Sequence, residues 1–127
     1  MMLERRRVLI VEDESTLAGL MGRAFDNEGY QVSTAANGIE CMNKLAGFRP
    51  DVIVMDIMMP RLDGIDTTRL IRRHGDFRST LIVALSAKHD EKTRAAMLKS
   101  GADVFMDKPF AVGELIRTVN AHMTAAR

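Results

Sequence analysis

Five polar side chains follow apolar runs in this chain: Glu12 and Asp13 after VLIV (8–11), Asp56 after VIVM (52–55), Ser86 after LIVAL (81–85) and Lys108 shortly after VFM (104–106). The stretch VIVMDIMMP (52–60) poses the problem most sharply, because an ionised Asp56 buried without partners is heavily penalised. If these side chains meet, three carboxylates roughly 5 Å apart repel by about 3 kcal/mol per pair at an effective dielectric of about 20. Such a set requires a cation. Oxygen donors on a compact anionic rim favour a hard divalent ion, and few protein ligands completed by water and a phosphate oxygen are the habit of Mg²⁺. Lys108 adds a charge able to face a carboxylate or a phosphoryl group. Cations of this kind stabilise a transferring phosphoryl, and an Asp carboxylate can serve as its nucleophile.

The elements that must position these residues are legible in the periodicity. The four runs are short and the first three rich in β-branched residues, as strands buried on both faces are; YQVSTA (30–35) alternates and suits a strand nearer an edge. Helical spacing joins Leu17, Leu20, Met21, Ala24 and Phe25; Ile39, Met42 and Leu45; Ile65, Leu70 and Ile71; Ala95, Met97 and Leu98; and Leu115, Ile116 and Val119. Ser15 and Asp90 stand where N-caps belong, and Gly29, Gly47, Gly75 and Gly101 where helices stop. Five alternations of strand and helix predict an α/β fold, a doubly wound parallel sheet covered on both faces. Its strands deliver their terminal residues to one rim, where ligands of such sheets bind.

Taken singly, each residue has a plainer reading. Glu12, Asp13 and Glu14 read as acids favoured by a helix dipole, Asp56 and Ser86 as caps, Lys108 as a solvated loop lysine. Their common position at strand ends favours a site. The methionines 55, 59, 97 and 106 read as packing, His74, His89 and His122 as surface residues without metal-ligand spacing, Asn37-Gly38 as a loop turn, and Gly64 as easing a turn.

The 127 residues, 46% apolar and 28% charged, fit one domain, 1–127. A net charge of +1 gives no global field toward nucleic acid or an anionic membrane. Arg5, Arg6 and Arg7 read as a solvated lead-in to the first strand. The single cysteine, Cys41, excludes an internal disulfide and reads as a core thiol in a reducing compartment. The apolar run Val8–Val11 is shorter than a signal-peptide core, so a cytoplasmic location is expected.

With VLIVEDE, GYQVSTAANG, RPDVIVMDIMMPRLDG, LIVALSA and GADVFMDKPF in this order, the whole chain resembles a receiver domain of the bacterial response regulators, the phosphoacceptor half of two-component signalling. The resemblance implies a flavodoxin-like fold with five helices and strand order 2-1-3-4-5. It implies that Asp56 accepts a phosphoryl group from a sensor histidine kinase or phosphotransfer protein. Asp13, Asp56 and the Met58 backbone carbonyl would bind Mg²⁺, and Glu12 would hold the metal through water. Lys108, Ser86 and the Ala87 backbone N–H would receive the phosphoryl oxygens. Ser86 and Phe105 would be the switch pair, Lys108-Pro109 a cis peptide, and Met58 and Lys88 positions that tune hydrolysis. The output surface would be the face of the fourth helix, fifth strand and fifth helix, with Lys92, Lys99, Phe105, Met106 and Val112. The resemblance describes a signalling switch rather than an enzyme, though one that catalyses its own phosphorylation and dephosphorylation, and allows dimerisation on phosphorylation. It predicts no direct contact with nucleic acid or membrane.

The departures are small: Ser86 replaces the frequent Thr, and Phe105 lacks a hydroxyl. A haloacid-dehalogenase-type aspartyl phosphatase also uses an Asp and Mg²⁺, but would place a second Asp where Met58 stands and add a cap domain. A flavin binder on the same sheet would carry a Ser/Thr/Gly-rich phosphate loop where this chain has the acidic EDESTLAG. The same residues fit a stand-alone receiver or the receiver portion of a longer regulator or hybrid kinase.

Overall fold

The computed structural model describes residues 5–59, 61–87 and 90–125; the readings of Lys88 and His89 fall outside them. Strands β1 (Arg7–Val11), β2 (Gln31–Ala35), β3 (Val52–Asp56), β4 (Leu81–Ser86) and β5 (Val104–Asp107) alternate with helices α1 (Ser15–Asn27), α2 (Gly38–Phe48), α3 (Gly64–Arg73), α4 (Glu91–Ser100) and α5 (Val112–Ala125), with one 3₁₀ turn at Gly75–Phe77. All pairings are parallel, and the strand order is β2-β1-β3-β4-β5. β2 lies at an edge.

Alternate residues of each central strand enter opposite layers. Val8, Ile10, Val52, Val54, Val83 and Leu85 pack with Met21 and Phe25 of α1 and Leu115 and Val119 of α5. Leu9, Val11, Ile53, Met55, Ile82 and Ala84 pack with Cys41 and Leu45 of α2, Ile71 of α3 and Met97 of α4. Burial on two faces explains the unbroken apolar runs. Each large side chain so buried contributes about 1.5–3 kcal/mol.

Several local expectations are corrected by the backbone. α1 is capped by Glu14 rather than Ser15, since the Glu14 carboxylate accepts from the Thr16 and Leu17 N–H groups at 3.1 and 2.8 Å. Gly47 lies inside α2, which is capped at its C-terminus by Arg49 in the left-handed region (φ +53°). Ile39, Leu20 and Leu98 are exposed, because the buried stripes run through Cys41 and Leu45, through Ala18, Met21 and Phe25, and through Met97. Asn37 is more than a loop residue: its side chain caps α2 by accepting from the Glu40 N–H at 2.9 Å. Asp90 caps α4 by accepting from the Thr93 N–H. Met55, Met59 and Met97 are buried, and His74 and His122 are exposed.

Candidate functional site

The backbone places the strand ends before any side chain is considered. The Glu12 N–H donates to Ala35 O at 3.0 Å, Ile57 N–H to Leu85 O at 3.0 Å and Lys108 N–H to Ser86 O at 2.8 Å. Ladder hydrogen bonds therefore continue one residue past the strands and fix Glu12, Asp56, Ser86 and Lys108 on one rim. Gly64 tightens it further. Its N–H donates to Ile57 O, and a Cβ there would come 2.6 Å from Asp56 O and 2.8 Å from Ile57 Cα. This glycine is required for close approach of α3 to the end of β3, rather than for turn flexibility.

Carboxylate oxygens of Glu12, Asp13 and Asp56 lie within 4.8 Å of one another. Glu12 and Asp56 are buried and Asp13 is exposed. Of the three acids after β1, Glu14 alone serves as the helix cap, which leaves Glu12 and Asp13 to the rim. Glu12 Oε2 accepts from the Glu14 N–H at 3.2 Å, and its Oε1 accepts from Lys108 Nζ at 2.9 Å. Lys108 Nζ lies 3.5 Å from Asp56 Oδ1. That same oxygen accepts from the Met58 N–H at 3.3 Å, while the Met58 side chain is exposed.

Burial, then the neighbouring Glu12 charge, push the Asp56 carboxyl up to about 6 from 3.8, against the opposing pull of Lys108 and the Met58 N–H. For Lys108, burial acts downward, but the Glu12 hydrogen bond and the Asp56 charge outweigh it, so its net shift is upward. Three carboxylates against one ammonium leave the rim under-compensated, and the available donors are hard oxygens. That donor set fits a divalent cation such as Mg²⁺.

Ser86 is fully buried, Ala87 is exposed, and Phe105 is half-buried. The Lys108–Pro109 peptide is cis. Thus Glu12, Asp13, Asp56 and Lys108 are brought within contact range, and Ser86 is tied to Lys108 through the backbone. Position 58, two residues past Asp56, holds a methionine and no second acid. Sequence reasoning missed Arg94, whose guanidinium carbon lies 5.4 Å from the centroid of the Phe105 ring; eleven residues separate the two, and no local pattern links them.

The family model for the response regulator receiver domain matches residues 8–120. The response regulator MprA of Mycobacterium sp. (strain KMS) is 38% identical over 115 residues, covering 91% of this chain and 49% of that protein. The chain spans about half the length of the curated relatives it matches. Among solved structures, the receiver domain of the Francisella response regulator 1452 superposes with a TM-score of 0.87 at 32% identity, over 97% of this chain and 100% of that one. The receiver domain of the sensor histidine kinase PA1611 from Pseudomonas aeruginosa PAO1, solved with a magnesium ion coordinated in its active site cleft, matches with a TM-score of 0.84 at 31% identity, over 93% and 97% of the two chains.

Proposed function

This chain belongs to the response regulator receiver domain family, and from that premise we propose that Asp56 is its phosphoacceptor. The observation that carries the reading is the convergence of Glu12, Asp13 and Asp56 on one rim with Lys108 2.9 Å from Glu12 and 3.5 Å from Asp56. The chain is a receiver of two-component signalling. Its donor is a sensor histidine kinase or a phosphotransfer protein, and the whole of residues 1–127 serves as the receiver unit.

An ionised Asp56 oxygen attacks the phosphorus of the donor's phosphohistidine. The P–N bond breaks, its electron pair stays on the imidazole nitrogen, and a carboxyl–phosphate anhydride forms on Asp56. Lys108 donates to the phosphoryl oxygens, and Ser86 and the Ala87 N–H receive them after transfer. Glu12, Asp13, Asp56 and the Met58 carbonyl are the residues that would hold Mg²⁺, which when bound offsets charge on the phosphoryl oxygens. Hydrolysis on the same rim returns the carboxylate, so the domain catalyses its own phosphorylation and dephosphorylation.

Ser86 and Phe105 couple the rim to the face of α4, β5 and α5, where Lys92, Lys99, Phe105, Met106 and Val112 meet a downstream protein or a second receiver on phosphorylation. Among the described residues no helix is long and apolar enough to cross a membrane; we place the protein in the cytoplasm, where phosphodonors of this kind act, and assign it no direct nucleic-acid contact.

Intact mass after incubation with acetyl phosphate tests the assignment. One phosphoryl adduct is expected, base-labile, dependent on Mg²⁺ and absent in Asp56→Asn. An adduct of equal yield in Asp56→Asn would remove Asp56 from this role.

A further inference from the structure

Phe105 is in register with Ala84 of β4, and one side of its ring packs against the layer that contains Ala84 and Met97. The Arg94 guanidinium covers the ring at 5.4 Å from its centroid. At that distance the ring quadrupole attracts the cation. Arg94 stands one turn before the buried Met97 on α4, and its side chain is exposed. Ser86 lies two residues beyond Ala84 on the same strand, fully buried on the same sheet face. The small Ala84 thus stands beside the ring, two residues before Ser86 on the same face of the strand.

We propose that Arg94 is a positioning residue that holds Phe105 in its half-exposed place and biases the domain toward the unphosphorylated arrangement. This rests on the reading of Ser86 and Phe105 as the pair that couples the rim to the output face. A ring that moves inward behind Ser86 must leave the guanidinium, so the contact is lost in one state only. Only an interaction that differs between two states shifts their balance. By linkage, weakening it raises affinity for whatever favours the inward ring.

Beryllofluoride with Mg²⁺ is the probe, as a stable stand-in for the phosphoryl group. Arg94→Met keeps an unbranched apolar stem and removes the charge; Arg94→Lys restores the charge. The expected result is beryllofluoride binding tighter by about two- to fivefold in Arg94→Met, return toward wild type in Arg94→Lys, and no effect of Arg94→Met in a Phe105→Leu background. The sign is diagnostic, because simple loss of a positive charge near an anion site weakens binding. With 4-fluorophenylalanine incorporated, the fluorine resonance assigned to Phe105 should move in ligand-free Arg94→Met toward its beryllofluoride-bound position. Equal affinities with an unmoved resonance would overturn the role of Arg94 while leaving the receiver reading intact. A change that persists without Phe105 would overturn it too. Failure of the wild type to bind beryllofluoride would overturn the receiver reading and this inference together.

Discussion

The two ends of the sheet treat charge in opposite ways. At the amino end, Arg72 is mostly buried and all three of its guanidinium nitrogens donate hydrogen bonds. Nε donates to Gly101 O at 2.9 Å, Nη1 to the carbonyls of Phe77, Arg78 and Thr80 at 2.8, 3.2 and 2.8 Å, and Nη2 to Asp103 Oδ2 at 2.9 Å. Asp103 Oδ2 in turn accepts from the Ile82 N–H. One cation thereby ties the end of α3, the 3₁₀ turn, the start of β4 and the turn into β5. At the carboxyl end, three carboxylates meet around one ammonium, which reaches Glu12 and Asp56, and burial, then the Glu12 charge, push Asp56 up to about 6. The amino end spends its charge on holding the fold together, whereas the carboxyl end stores unbalanced charge that a cation and a phosphoryl group can use.

Removing the cation at the amino end should therefore be the most damaging change. Arg72→Met takes a donor from several carbonyls and the cation from Asp103, and should lower stability by about 3 kcal/mol. Chemical denaturation measures it, and the adduct yield per folded molecule with acetyl phosphate should be unchanged. A loss under about 1 kcal/mol would mean that water replaces the guanidinium and that the two ends differ less than their geometry suggests.

The carboxyl end should respond with the opposite sign. Asp56 has its pKa raised in the fold, so the folded state holds the proton more tightly than the unfolded chain, and ionisation of Asp56 costs stability. That cost is absent below about pH 4, grows as the pH rises toward 6 and is complete above it. In Mg²⁺-free buffer at neutral pH, Asp56→Asn should thus stabilise the protein by on the order of 2 kcal/mol. The gain should fade as the pH falls from 6 to 4, and shrink when Mg²⁺ is added, because the metal stabilises the wild-type carboxylates. Denaturation midpoints across that pH range decide it. A variant less stable than wild type at pH 7 without Mg²⁺ would show that Lys108 already balances the rim.

This contrast also explains what the sequence could and could not reveal. The carboxyl-end residues were legible because each interrupts or follows an apolar run, and strand direction sends them to one side. The two-layer topology was legible because both faces of the sheet are covered and the runs are continuous. Arg72 left no such trace: four of its five partners are backbone carbonyls, which any residue supplies. The faces of α1 and α2 were misjudged at Leu20 and Ile39 for a related reason, since the nearby small residues Ala18 and Cys41 take buried positions and hydrophobicity alone ranks them lower, while in α4 Met97 takes the buried position next to Leu98. Glu14 displaced Ser15 as the cap because both types can accept from helix N–H groups, and spacing to within one residue does not separate them.

The close contacts at two glycines extend the comparison to a finer scale. At the carboxyl end, a Cβ on Gly64 would meet backbone atoms of Asp56 and Ile57, which cannot step aside. At the amino end, a Cβ on Gly101 would lie 2.5 Å from Arg72 Cγ and 3.2 Å from Nε, the middle of a side chain that can move only by abandoning its carbonyls. Gly101 also has φ +123°, so Gly101→Ala carries a backbone cost of order 1–3 kcal/mol that no neighbour can relieve. The part due to Arg72 is separable. In an Arg72→Met background the side chain has no carbonyl bonds to keep and can yield, so Gly101→Ala should cost about 1 kcal/mol less there than in the wild type, a coupling within the range for contacting residues. Four denaturation curves, for wild type, each single variant and the double, measure it. Equal costs in both backgrounds would place all of the strain in the backbone of Gly101, and the clamp would then tolerate displacement that its hydrogen-bond geometry argues against.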